Sequence, residues 1–124
     1  MTVAAVFKDK CGKRLKSGDF IAYGHALGRC AGLRYGKVVQ VKWSKYDGYS
    51  EQVPKLQVYG VDDDWDHNEA KLCEKKSTLA FPSRVLRIDR DQMPEAYAKL
   101  LDTVETLADE VIPMEAKQNR LDKI

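Results

Sequence analysis

GDFIAYGHALGRCAGLRYGKVVQVKW, residues 18–43, reads as two β-strands joined by a glycine-rich arm, with the rest of the chain supporting them. Phe20, Ala22 and their neighbours alternate as a strand does, and Tyr35–Trp43 alternates more clearly. Between them Gly24, Gly28 and Gly32 recur every four residues beside His25, Arg29, Cys30 and Arg34. This spacing is too rich in glycine for a helix interior, and its neighbours are too polar for a core. The arm is therefore expected to be a loop in which the backbone turns sharply or approaches a partner.

Outward toward the C-terminus, SKYDGYSEQVP carries the hairpin signal Asp47-Gly48 and ends at Pro54. Lys55–Val61 alternates, with Leu56 and Val58 on one face, and should pair with the preceding strand. Residues 62–77 are polar and expected to form a long loop with one helical turn near Asn68–Leu72. Thr78–Phe81 reads as a short strand, Pro82-Ser-Arg84 as a tight turn and Val85–Ile88 as a last strand. Toward the N-terminus, Val3–Phe7 is a candidate first strand, followed by the basic run Lys8, Lys10, Lys13, Arg14 and Lys16. The expectation is a mostly β chain: a small SH3-like, or alternatively OB-like, β-barrel plus an amphipathic α-helix. Its parts are an N-terminal strand and basic segment at 1–17, the barrel at 18–90 and a helical segment at 91–124.

That helix should start at Pro94, with Glu95 at its positive end. Tyr97, Leu100, Leu101, Val104, Leu107, Ala108 and Val111 recur at three- and four-residue spacing, and Pro113 ends the run at about Val111–Ile112. The stripe would cover an open barrel end or meet a second copy, so a homo-oligomer is expected.

With 124 residues, the chain fits one domain with its own core. Cysteines at 11, 30 and 73 form no CxxC and cannot all pair, which points to a reducing, cytoplasmic setting. The basic residues follow the first apolar run, the reverse of a secretory signal, and no run reaches membrane-spanning length. Residues 1–50 hold ten Lys/Arg against three Asp/Glu, and residues 51–124 hold eleven against sixteen, so +7 faces −5. A basic half implies an anionic partner, or a complement to the acidic half.

His25, Cys30, His67 and Cys73 are metal-ligand types, but their spacings of five and six residues do not converge on one turn. A calcium loop starting at Asp62 would need glycine at 67 and glutamate at 73, where the chain has His67 and Cys73. No metal and no cofactor is expected. Cys30 with His25 is the one local nucleophile–base pair and lacks a third group, apart from Asp19, so no enzyme is expected. The glycine arm lacks the GxGxxG and GK[ST] patterns, yet its backbone N–H groups with His25, Arg29 and Arg34 suit an anionic group.

At GDFIAYGHALGRCAGLRYGKVVQV, and again at AFPSRVLRI followed by a helix, the chain resembles small SH3-like proteins of tailed bacteriophages. The resemblance spans about residues 17–90 in organisation. It implies a viral protein of the bacterial cytoplasm and transfers no catalytic residues. Some phage proteins of this size evade host defence by sequestering nucleotide signals or binding a host protein, an analogy of role.

The leading expectation is a non-enzymatic protein that takes up a nucleotide-like anion with Tyr23, His25, Arg29, Arg34, Lys37, Tyr46 and Trp65. One alternative is a nucleic-acid-binding module using Lys13, Arg14, Lys16, Lys42, Lys45 and Tyr49, with bases stacking on aromatics. Another is an inhibitor that meets a host enzyme through Trp65 and the outer face of the helix.

Overall fold

The computed structural model describes residues 2–27, 30–45, 52–63, 70–73 and 75–113; at 25–27, 30–31, 45, 63 and 113 it describes the backbone only. The architecture is mostly β. It runs β1 (Thr2–Ala4), β2 (Phe7–Lys8), β3 (Arg14–Leu15), β4 (Phe20–Leu27), β5 (Cys30–Lys45) and β6 (Gln52–Asp63). Then follow β7 (Ala70–Leu72), β8 (Ser77–Leu79), a 3-10 turn (Pro82–Arg84), β9 (Val85–Ile88), a second 3-10 turn (Arg90–Gln92), α1 (Glu95–Asp102) and β10 (Val111–Pro113).

The strand β5 is the axis. Its run of valines and aromatics favours extended backbone, and β6 pairs antiparallel with it from Tyr35↔Val61 to Lys45↔Gln52. On its other edge β4 pairs from Phe20↔Lys37 to Leu27↔Cys30. The main sheet has the order β7-β6-β5-β4-β9, with β8 also on β6. Among the described residues the sheets are open, and no pairing closes them into a barrel.

Two core layers follow from the alternation. Ile21, Val38, Val41, Leu56, Val58 and Val85 pack on one face with Phe7, Leu15 and Trp43. On the other face α1 lays Ala98 and Leu101 over Val61, Met93, Phe20 and Tyr35. A β-bulge at Val39, between the pairs Val38↔Val58 and Gln40↔Gln57, resets the pattern. Without that extra residue Val38 and Val41 would face opposite sides; with it both enter the same core.

Four expectations need correction. Where it is described, the glycine arm is not a loop: the β4–β5 ladder runs through Gly24↔Leu33, His25↔Gly32 and Leu27↔Cys30, and Gly28 and Arg29 lie outside the described residues. The helix stops at Asp102 rather than near Val111. Beyond it the chain runs beside the β5 edge that β4 has left, with Leu107 N–H donating to Val39 O at 2.9 Å and Glu110 N–H to Val41 O at 2.9 Å. Backbone hydrogen bonds to β5 there replace those a longer helix would have made, and Val111–Pro113 pairs with β1. Ala70–Leu72 is a strand on β6, not a helical turn. Pro54 does not close its segment but lies inside β6, opposite Trp43. The Asp47-Gly48 turn lies outside the described residues, although β5 and β6 pair as a hairpin requires.

Among the described residues no helix is long and apolar enough to cross a membrane.

Candidate functional site

The basic run after β1 folds into a small ribbon. Phe7 and Leu15 pair and point inward, so their neighbours Lys8 and Arg14, also a cross-strand pair, point outward. Lys8, Lys10, Lys13, Arg14 and Lys16 are all exposed. What holds this ribbon is Asp9, 4% exposed. Its Oδ1 accepts the N–H groups of Cys11 and Lys13 at 2.9 and 2.8 Å, and its Oδ2 accepts the N–H of Arg87 at 2.7 Å. Burial works to raise the Asp9 pKa, but the three backbone donors and the charge of Lys13 outweigh it and hold the carboxyl below its ordinary range. The turn between Asp9 and Lys13 closes through Gly12 at φ +83°, a conformation that favours glycine.

This clamp joins two regions far apart in the chain. Lys10 N–H donates to Val85 O at 2.9 Å, so the ribbon covers the outer edge of β9. The exposed Arg84 and Arg87 thereby enter the same surface. Arg84 lies over the Phe81 ring at 5.6 Å, and Arg87 Nε is 3.9 Å from Asp19 Oδ2. Among the described residues these seven cations share the region with the carboxylates of Asp9, Asp19 and Asp109, of which Asp9 is enclosed and occupied by backbone donors and Asp109 accepts the N–H groups of Ser17 and Val41. Like charges sit directly opposite at Lys8↔Arg14, an arrangement that costs a fold and suits an anionic partner.

The residues expected to take up a small anion do not form one site among the described residues. Tyr23 is a core residue, 2% exposed, lying against the paired Gly36 and Gly60. A Cβ on Gly60 would stand 2.1 Å from the Tyr23 oxygen, so only glycine allows this approach. Burial pushes the Tyr23 phenol up to about 12, with Arg34 pulling the other way. The hydroxyl is enclosed, and among the described residues no hydrogen bond of good geometry reaches it. Arg34 is ion-paired with Asp62, its side chain 12% exposed. Lys37 donates to the carbonyls of Leu101 and Val104 at 3.3 and 3.4 Å, sealing the end of α1. Arg34 and Lys37 are three apart on β5, and that odd spacing puts them on opposite faces of the sheet. His25 has its backbone on β4; its side chain, Arg29, Tyr46 and Trp65 lie outside the described residues.

Of the nucleic-acid set, Lys13, Arg14 and Lys16 come together on the ribbon. Lys42 is half-buried near the far end of β5, opposite Lys55. Lys45 is described in its backbone alone, and Tyr49 lies outside the described residues. Arg84 and Arg87 escape the sequence reading because their only signal is a turn and a short strand. Asp19 and His25 cannot act as a base–orienter pair with shared contacts, since six residues of extended chain separate them by roughly 20 Å.

A second feature lies at the outer edge of β6. There β7 pairs with Val61–Asp63 and β8 with Leu56–Val58, leaving a gap bridged by Cys73 N–H donating to Gly60 O at 3.0 Å. The gap opens into a cavity of about 420 Å3 whose lining includes Arg34, Asp62, Lys71, Cys73, Lys75 and Ser77. Cys73 Sγ donates to Asp62 Oδ2 at 3.4 Å. Burial pushes the Cys73 thiol up, Arg34 opposes this, and Asp62 adds to it. Among the described residues no group of three or more His, Cys, Asp and Glu side chains is placed to hold a metal ion. No protein family, curated protein or solved structure matches this chain.

Proposed function

We propose that the chain is a non-enzymatic nucleic-acid-binding protein that docks a phosphate backbone on the ribbon–β9 surface. The observation that carries this reading is the Asp9 clamp, which joins the run at 8–16 to Arg84 and Arg87 in one cationic face. An excess of cations on one face attracts a polyanion and releases its counterions, so affinity is steeply salt-dependent. The charge of the face suits contacts to the phosphate backbone, which position a protein on nucleic acid without reading its sequence.

The finer architecture belongs to the same proposal. The short β8, the 3-10 turn Pro82–Arg84 and β9 follow one another as in an SH3-like barrel, and β6 serves β5 on one edge and β7 and β8 on the other. With the phage resemblance, this reading puts the protein in a bacterial cytoplasm, acting on host or viral nucleic acid, as a homo-oligomer.

Fluorescence anisotropy with short labelled DNA and RNA, single- and double-stranded, across a salt series tests the function. The slope of log K against log salt should fall by about 0.9 per phosphate neutralised on duplex DNA. Reversing charge at Lys13, Arg14 and Lys16 should therefore flatten it by about 3. Flat binding curves at low salt with folded protein would remove the proposal.

A further inference from the structure

The gap at the outer edge of β6 lies off the ribbon, and its chemistry differs from that of the basic face. We infer that the cavity lined by Arg34, Lys71, Lys75, Ser77 and Cys73 is a binding site for a phosphomonoester on a small molecule, of nucleoside monophosphate size. Among the described residues three cations meet one carboxylate there, Asp62, leaving an excess of two positive charges. A phosphomonoester carries about −1.5 to −2 at neutral pH, which matches that excess; a carboxylate ligand would leave one cation uncompensated.

Each cation has a separate part. Arg34 reaches the cavity by crossing Gly60, where a Cβ would stand 2.5 Å from its Cδ. Its guanidinium is then held in one orientation by Asp62, which acts as a positioning residue. Lys71, opposite Asp62 on β7, and Lys75 are exposed, and neither has an ion-pair partner among the described residues. They are the cations available to close on a ligand. Ser77, opposite Val58, adds a hydroxyl donor to the lining. A cavity of about 420 Å3 falls in the range that takes a drug-sized ligand. The enclosed Tyr23 hydroxyl and the stem of Arg34 both lie against Gly60.

The test is titration calorimetry with inorganic phosphate, adenosine 5′-monophosphate and adenosine. Both phosphates should bind and adenosine should not; stronger binding of the monophosphate than of phosphate assigns the rest of the cavity to the organic group. Lys71→Gln with Lys75→Gln, at two exposed positions, should weaken binding by about tenfold or more while leaving the melting temperature unchanged. Reversing charge at Lys13, Arg14 and Lys16 should leave it unaltered, which separates this site from the basic face. As a second readout, phosphate should slow alkylation of Cys73 by iodoacetamide, measured by mass spectrometry, and leave the exposed Cys11 unaffected. No heat with either phosphate, unchanged affinity in the double lysine variant, or loss of binding on the ribbon variant would each overturn the inference.

Discussion

Asparagine at position 9 is nearly the same size as aspartate, so Asp9→Asn tests the clamp with little change in packing. The amide oxygen can take the place of Oδ1 and keep the Cys11 and Lys13 donors. The amide nitrogen then faces the Arg87 N–H, donor against donor, where Oδ2 now accepts at 2.7 Å. One buried unsatisfied donor costs about 1–3 kcal/mol, and losing the charge from the two remaining bonds adds about 1 kcal/mol. The sum is a loss of about 3 kcal/mol, or roughly 10 °C in melting temperature for a domain of this size. Thermal unfolding followed by circular dichroism reads it.

The pH dependence gives an independent check. Because the folded pKa of Asp9 lies below its ordinary value of 3.8, its stabilisation is fully present above that value and is lost as pH falls through the folded pKa. The gap between wild type and variant should be constant near neutrality and close in strong acid. Nucleic-acid binding adds a third readout with an opposed sign. Removing an acid from a cationic face strengthens binding on charge alone, whereas release of the ribbon from β9 weakens it, and weakening is the expected result. A variant that melts within about 2 °C of wild type, or a gap unchanged into strong acid, would refute the clamp.

Gly60→Ala should destabilise by about 2 kcal/mol or more, because the new methyl meets the Tyr23 oxygen and Arg34 Cδ; adding Tyr23→Phe should restore part of the loss, measured by urea unfolding. Tyr23→Phe alone should be neutral or stabilising by up to about 1 kcal/mol, since the hydroxyl has no well-aligned partner; a loss above that would show an Arg34 bond worth keeping. Lys37→Met should cost about 0.5–1 kcal/mol by baring the Leu101 and Val104 carbonyls, seen as faster amide exchange in the last turn of α1. Alkaline titration by ultraviolet absorbance should show Tyr23 ionising near 12. Its contribution to stability is fully present below 10.0 and is lost as pH rises through 12.

Strands β4, β5, β6 and β9 were legible because apolar alternation is a local signal, and the turn and last strand at 82–88 fall where proline and valine put them. The arm at 24–32 was misread because glycine content speaks against regular structure, while the ladder to a neighbouring strand overrides it. The stripe from Tyr97 to Val111 has helical spacing throughout, but Leu107 and Val111 are 52% and 59% exposed. Beyond Thr103 the open edge of β5 competes for the same backbone groups and takes them. For the site, the cationic residues at 13, 14 and 16 were legible as charge, whereas the role of Asp9 was not. Its third donor, Arg87, stands 78 residues away, and nothing local marks an aspartate in a lysine run as the residue that holds it. Arg34 and Lys37 show the converse: their charges are visible in sequence, but the carboxylate and helix end that occupy them are set by packing.

The pairing of β1 with β10 has a consequence for how the chain assembles. Residues 2–4 have no other strand to pair with among those described, so during synthesis they must wait until the segment at 111–113 has left the ribosome. Contacts this distant in sequence make closure slow. A nascent chain stalled before that point would expose the edge of β5 and offer a protease its best opportunity.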